Sequence, residues 1–234
     1  MSKFTNLLMG SLVLLFTSSA QAITIDFQAM ADGSYGESAW QPLSLGDVGI
    51  NALVFGGVFN SSTQESTLGY AYLDSGNAGL GVCQTVASGA GVKHPGSGAN
   101  LCTTYPDNSA DDNVDKPGEF LLFLFNEAVT VGDIWFNTNH DTDFTLENDT
   151  AFINGVFNTF TGPGVDDGAG GRDWLYSLNQ TFSSGSSLMI AYGGEHPEQF
   201  YISSIEMTSV PEPASLALLG LGLVGLGAAR RRIK

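Results

Sequence analysis

Basic residues are scarce in this chain of 234 residues. It has 8 Lys and Arg against 24 Asp and Glu, and five of the eight basic residues lie in the terminal segments 1–22 and 211–234. The central segment 23–210 keeps three basic and 23 acidic residues, a formal charge of about −20. A surface this negative repels nucleic acid and anionic lipid head groups, whereas it tolerates or recruits Ca²⁺. The same charge also fits an extracellular protein that is simply kept soluble.

Catalytic motifs are missing as well. The sequence has no Gly-x-Ser-x-Gly, no His-Glu-x-x-His and no glycine loop of the kind that binds phosphate. Its three histidines, His94, His140 and His196, stand apart from one another without a matching Ser or Cys. We therefore predict that the protein is not an enzyme.

Long amphipathic helices are not indicated either. Only 14% of the residues are charged and 30 are Gly, which disfavours surface helices. Short apolar segments separated by Gly, Asn and Asp recur instead, at residues 23–27, 48–59, 120–125, 129–131, 134–136, 144–146, 152–160, 188–192 and 200–207. Strands at roughly ten-residue spacing are typical of a sandwich or jelly roll. The sequence predicts one all-β domain over residues 23–210.

The N-terminal segment 1–22 has the three parts of a secretory signal peptide. Lys3 supplies the positive charge, residues 7–16 are apolar, and Ala20-Gln21-Ala22 is a small-x-small cleavage site. No Cys follows the apolar stretch, so a lipoprotein anchor is not indicated. A buried core helix would not need the cleavage site. We predict cleavage between Ala22 and Ile23.

The C-terminal segment 211–234 also has three parts in a fixed order. They are a Pro-Glu-Pro motif, an uncharged stretch and a basic cluster: Pro211, Glu212 and Pro213; residues 214–229; and Arg230, Arg231, Arg232 and Lys234. As a helix, the uncharged stretch would cover roughly 24 Å, slightly less than a hydrocarbon core of about 30 Å. Snorkelling arginines make up such a difference. The basic cluster should remain cytoplasmic and the body should face outward.

This tail resembles the PEP-CTERM sorting signal of Gram-negative bacteria. The resemblance implies that an exosortase, a membrane-embedded processing enzyme, recognises Pro211, Glu212 and Pro213 and cleaves near them. It also implies an inner-membrane-tethered precursor that ends at the cell surface or in an extracellular matrix with exopolysaccharide and biofilm. The two prolines independently favour an extended, accessible segment. A permanent single-span anchor is the alternative, although the glycine-rich span is weakly hydrophobic for that role.

Cys83 and Cys102 are the only cysteines. In an oxidising compartment, an even pair predicts a disulfide. It would close a loop rich in Gly and Ser that has few core candidates, which is worth roughly 3 kcal/mol in the chain-entropy model. A metal site would need further ligands, and only His94 lies within the loop.

Two acidic clusters flank this loop. The first contains Asp74 and Asn77, and the second contains Asp111, Asp112 and Asn113. A disulfide would bring the clusters toward each other, and converging carboxylate and amide oxygens are ligands that Ca²⁺ prefers. A solvated polar loop with Asx turns is the alternative interpretation. A further acidic stretch, residues 166–173, lacks the spacing of an EF-hand loop.

Two main hypotheses remain for the body, behind which a hydrolase that acts on matrix polysaccharide is a distant third. The first is a structural or interaction protein of the cell surface or matrix, processed by an exosortase. The second is a carbohydrate-binding sandwich module that is Ca²⁺-dependent, in which Trp40, Trp135, Trp174 and the tyrosines stack against sugar rings of a polysaccharide. Exposed coplanar aromatics would support the second hypothesis, and buried ones would support the first.

Overall fold

The computed structural model describes residues 20–86, 102, 114, 117–138, 149–161, 164–166, 172–193, 199–211 and 222. Within these ranges the chain forms strands, one short helix, α1 (Phe27–Asp32), and a 3-10 turn (Gly46–Val48). The strands in chain order are β1 (Ala22–Asp26), β2 (Ser38–Trp40), β3 (Leu43–Ser44), β4 (Ala52–Asn60), β5 (Glu65–Leu68), β6 (Tyr70–Asp74), β7 (Gly79–Cys83), β8 (Glu119–Phe125), β9 (Val129–Asn137), β10 (Thr150–Ile153), β11 (Val156–Thr159), β12 (Val165–Asp166), β13 (Arg172–Phe182), β14 (Ser187–Tyr192) and β15 (Tyr201–Ser209).

These strands form two antiparallel sheets. The first has eight strands in the order β12-β13-β9-β15-β7-β6-β2, with β1 paired to β15. The second has seven strands in the order β11-β10-β14-β8-β4-β3, with β5 paired to β4. The predicted all-β sandwich is therefore confirmed.

Alternation along the strands places the core between the sheets. In β8, Leu121, Phe123 and Phe125 are fully buried, while Leu122 and Leu124 between them are half-buried and point the other way. In β9, the buried pair Ile134 and Phe136 is separated by the half-buried Trp135. Since successive strand residues point to opposite faces, each sheet presents one face to the core and one outward.

Aromatic pairs connect the elements across this core. The Phe125 ring in the second sheet lies 5.1 Å from the Phe182 ring in the first, centroid to centroid. Phe136 makes edge contacts with the Phe160 ring at 4.8 Å and with the Phe200 ring at 5.2 Å. Such tilted geometries are favourable for aromatic rings beyond the area that they bury.

Three of the predicted strands differ from those observed. The segment 152–160 is a hairpin, because β10 and β11 are joined by Asn154 and Gly155, which both have positive φ (47° and 88°). Asn and Gly at these positions are typical of a tight hairpin turn. Conversely, the two segments 129–131 and 134–136 belong to the single strand β9. The predicted strand at residues 144–146 lies outside the described residues.

Candidate functional site

The last strand, β15, leads directly into the sorting segment. The amide N–H of Val210, just after the strand, donates to the carbonyl oxygen of Ala128 at 2.8 Å. Pro211 is half-buried and follows at once. The fold therefore holds the chain to within one residue of the Pro-Glu-Pro motif.

We call the point where the chain leaves the sandwich, at Ser209 and Val210, the exit. The first strand lies beside it. Strand β1 pairs with β15 along its whole length, with Ala22 opposite Thr208 and Ile23 opposite Met207. The predicted signal cleavage site, between Ala22 and Ile23, thus lies at the start of a strand in the folded body. Both ends of the body emerge at the same place, since the paired strands are antiparallel.

Glu127 links the exit to the second sheet. Its Oε2 accepts a hydrogen bond from the Ser209 hydroxyl at 3.1 Å, and its Oε1 accepts one from the Asn51 amide N–H at 2.8 Å. The Asn126 amide N–H in turn donates to the Asn51 carbonyl oxygen at 2.9 Å. Nothing in the local sequence marks Glu127, because Asn51 and Ser209 are 76 and 82 residues away from it.

The rest of the predicted sorting signal lies outside the described residues. This applies to Glu212, Pro213, nearly all of the uncharged stretch, and the basic cluster Arg230, Arg231, Arg232 and Lys234. None of the helices in the described part of the chain has the length and apolar character that a membrane crossing demands.

Cys83 and Cys102 form a disulfide, which is the pairing that the sequence predicts. Cys83 ends β7 and is fully buried. It packs with Ala39 and Tyr72, and Tyr70 and Val86 border this small cluster. The disulfide therefore belongs to an apolar cluster of its own, separate from the main core.

The candidate Ca²⁺ ligands are only partly described. Asp74 is buried at the end of β6, and Asn77 occupies a left-handed position in the β6–β7 turn, with φ of 63°. The carboxylate of Asp32 binds this turn, accepting from the Gly76 amide at 2.7 Å and the Asn77 amide at 3.2 Å. Asp111, Asp112 and Asn113 lie outside the described residues. Within the described part, no three His, Cys, Asp or Glu side chains form a group that could hold a metal ion, and the Ca²⁺ site stays a prediction.

Glu37 binds the same turn region. Its Oε1 accepts from the Tyr72 hydroxyl at 2.8 Å, and its Oε2 accepts from the Ser75 hydroxyl at 2.9 Å. Burial, followed by the hydrogen bond to Glu37, raises the pKa of Tyr72 far above its usual value. The hydroxyl therefore remains a donor throughout the physiological pH range.

The three tryptophans do not form a coplanar platform. Trp174 is buried in the core. Trp40 is half-buried, its indole N–H donates to the Ser38 hydroxyl at 2.7 Å, and its ring packs against Tyr35 at 58°. Trp135 is half-buried on the outer face of the first sheet. Trp135 lies in a groove.

A polar groove of about 310 Å³ surrounds Trp135. Its lining combines this indole with carboxylates, an amide and hydroxyls: Asp26, Gln28, Trp135, Val165, Asp173, Ser203 and Ser204. Strand pairing produces this arrangement, because Ser204 lies opposite both Trp135 and Asp26. The register of β15 shifts between Ile202 and Ser204, and such a bulge redirects side chains at a sheet surface.

Two of the groove carboxylates also have structural partners. Asp26 caps α1, since its Oδ1 accepts from the Ala29 amide at 2.8 Å. Asp173 Oδ1 accepts from the Asn137 side-chain amide at 3.1 Å. Each carboxylate is thus fixed in orientation. The sequence singles out the acidic stretch 166–173, which ends at Asp173, but does not connect it with Asp26, since the two meet only through pairing of distant strands.

A second groove, of about 410 Å³, is apolar and lies on the outer face of the second sheet. Its lining includes Phe59, Phe152, Phe157, Met189 and Tyr192. Phe157 is 60% exposed and its ring contacts Phe152 edge-on at 5.1 Å. Exposed apolar patches of this kind commonly mark contacts with other molecules.

The comparison with protein families agrees with the tail pattern. A family model described as the PEP-CTERM protein-sorting motif matches residues 209–232. The match begins at Ser209, the last residue of β15, so it starts where the sandwich ends. No curated protein matches the chain. The chain is therefore a protein with a PEP-CTERM sorting motif, which marks it as an exported target of an exosortase.

Proposed function

We propose that this protein is a non-catalytic component of the cell surface or extracellular matrix, released or transferred there by exosortase processing, in association with exopolysaccharide or biofilm. The observation that carries the proposal is the position of the sorting motif, whose match begins at Ser209, the last residue of β15 in the sandwich. Processing at that point would leave the whole sandwich intact.

The outer surface of the body supports an interaction role. The apolar groove on the second sheet exposes Phe59 and Phe157 by 39% and 60%. A chain with a formal body charge of about −20 should otherwise be well solvated. A patch of exposed Phe on such a surface is costly unless another molecule covers it.

Fractionation of the host tests the matrix role. The share of the protein recovered from the matrix should fall strongly when the exosortase is inactivated, and also in a Glu212→Ala variant, because the motif is then not processed. A Glu65→Ala variant, which removes an exposed carboxylate on β5, is the matched control. An unchanged matrix share without exosortase would contradict the proposal.

A second candidate function is saccharide binding in the polar groove. Trp135 offers an apolar ring face, and the side chains around it offer acceptors and hydroxyls. Sugar rings have this same combination of apolar faces and hydroxyl donors, and binding sites generally pair apolar surface with a few fixed polar groups. Asp26 and Asp173 are held in place by Ala29 and Asn137, which favours pre-organisation.

The carboxylates further favour neutral over acidic sugars. Asp26 and Asp173 both border the groove, and no described side chain in its lining is basic. A uronate would therefore meet like charge at these two carboxylates. The groove suits an uncharged saccharide segment better.

Calorimetric titration with two soluble oligosaccharides tests this candidate. The probes are a hexamer of N-acetylglucosamine, which is neutral, and a hexamer of galacturonate, which is acidic, each with Ca²⁺ and with chelator. We expect preferential binding of the neutral probe, weakened about tenfold by Trp135→Ala. Phe157→Ala, which removes an exposed ring on the other sheet, is the control. Equal binding by wild type and Trp135→Ala would contradict the assignment.

A further inference from the structure

The backbone that leads into the sorting segment is hydrogen-bonded as far as Val210. Ser209 pairs with Val129, and the Val210 N–H donates to Ala128 at 2.8 Å. Pro211 has no amide N–H, so the ladder cannot be extended by a donor at that position. Val210 is therefore the last residue before the Pro-Glu-Pro motif whose backbone N–H donates to the sheet.

Glu127 secures this boundary through both of its oxygens. One binds the Ser209 hydroxyl and the other binds the Asn51 amide, so a single half-buried carboxylate ties β15 to the loop before β4. Hydrogen bonds to a charged group are stronger than neutral ones. We call the set Asn51, Glu127 and Ser209 the exit clamp.

Strand β1 supports the same boundary from the other side. Thr208 pairs with Thr130 in β9 and with Ala22 in β1, so the end of β15 has a neighbour on each side. Strand ends normally fray first because they have few buried contacts. Here fraying of β15 requires breaking the exit clamp and two ladders.

We propose that Glu127 is a positioning residue for tail processing, which sets the upstream limit of the segment that the processing enzyme can bind. Proteases act on extended, accessible backbone. While the exit clamp is intact, the segment that the enzyme can bind begins at Pro211. The enzyme therefore cleaves the tail while β15 stays paired in the folded body. This inference rests on the proposed exosortase processing.

Intact mass and amide exchange of the full chain, produced in a host with a working exosortase, test the inference. Wild type should give one C-terminus at or beyond Val210. In Glu127→Ala, exchange at Val210 should rise about tenfold and products ending before Val210 should appear, since a hydrogen bond to a charged group is lost. Glu127→Gln should restore both, because its amide can accept from Asn51 and donate to Ser209. Glu65→Ala serves as the control.

Ser209→Ala removes only the hydroxyl and provides the same readouts if Glu127→Ala folds poorly. Suppose that wild type is processed but both variants keep the wild-type C-termini and the wild-type exchange at Val210. That result would overturn the role of Glu127 and leave exosortase processing standing. A wild-type chain that still ends at Lys234 would contradict exosortase processing itself, and with it any processing role for Glu127.

Discussion

Tyr72 is a buried residue whose hydroxyl donates to Glu37 at 2.8 Å. Burial and this hydrogen bond raise its pKa above that of an unfolded tyrosine, about 10. Because the folded pKa is the higher one, the stabilisation is fully present below about pH 10 and is lost as the pH rises, when the unfolded chain releases the proton first.

We therefore expect the difference in unfolding free energy between wild type and Tyr72→Phe to shrink above about pH 10. The loss should amount to about 1.4 kcal/mol per pH unit from that point. Urea unfolding of both proteins between pH 8 and 11 measures it. A difference that stays constant over this range would contradict the assigned environment of Tyr72.

The structural reason for a glycine is also not always evident from the local sequence. Gly56 interrupts an apolar segment in the sequence, yet it lies in the middle of β4. A Cβ at this position would collide with the carbonyl oxygen of Tyr70, and the Gly69 amide donates to the Gly56 carbonyl oxygen at 2.8 Å. The glycine is required by close approach of two backbones and not by a turn, a distinction that only the structure makes.

At the scale of elements, the disulfide between Cys83 and Cys102 anchors the end of β7. It closes a loop with a sequence separation of 19 residues. In the chain-entropy model such a closure restricts the unfolded chain and stabilises the fold by roughly 3 kcal/mol.

The double variant Cys83→Ala with Cys102→Ala should lower the free energy of unfolding by about that amount. Urea unfolding under oxidising conditions measures the change, and wild type treated with a reductant should approach the variant. A loss below roughly 0.5 kcal/mol would indicate that the unfolded chain gains little freedom from removal of the bond.

Some strands could be predicted from sequence and others could not. Apolar segments mark β1, β8, β14 and β15 in the sequence, as an alternation in β1 and as a continuous run in β8. In β9, Gly132 and Asp133 separate the two apolar segments 129–131 and 134–136. The Asp133 carboxylate accepts from the Ser177 hydroxyl at 2.6 Å across the sheet, and the strand continues through it. In β13, a register shift between Ser177 and Gln180 and a positive φ at Asn179 (49°) interrupt the alternation. Because a bulge breaks the alternation of apolar and polar residues, a strand that contains one is difficult to recognise from sequence.

For the molecule as a whole, the first and last strands pair with each other in the first sheet, where β15 also pairs with β9 and β7. The pairing of β1 with β15 joins residues about as far apart in sequence as the body allows, from Ala22 opposite Thr208 to Asp26 opposite Ser204. The sorting motif and the disulfide were predictable because their signals are local. The groove around Trp135 and the exit clamp were not, since each assembles from strands and loops distant in sequence.

The central claim is that this sandwich is an exported body processed at both ends. Intact mass of the protein recovered from membrane and medium fractions of its own host tests it most directly. We predict a mature species that begins at Ile23 and ends between Pro211 and Pro213. A membrane-bound species that still ends at Lys234, in a host with a working exosortase, would contradict the account and indicate a permanently anchored surface protein.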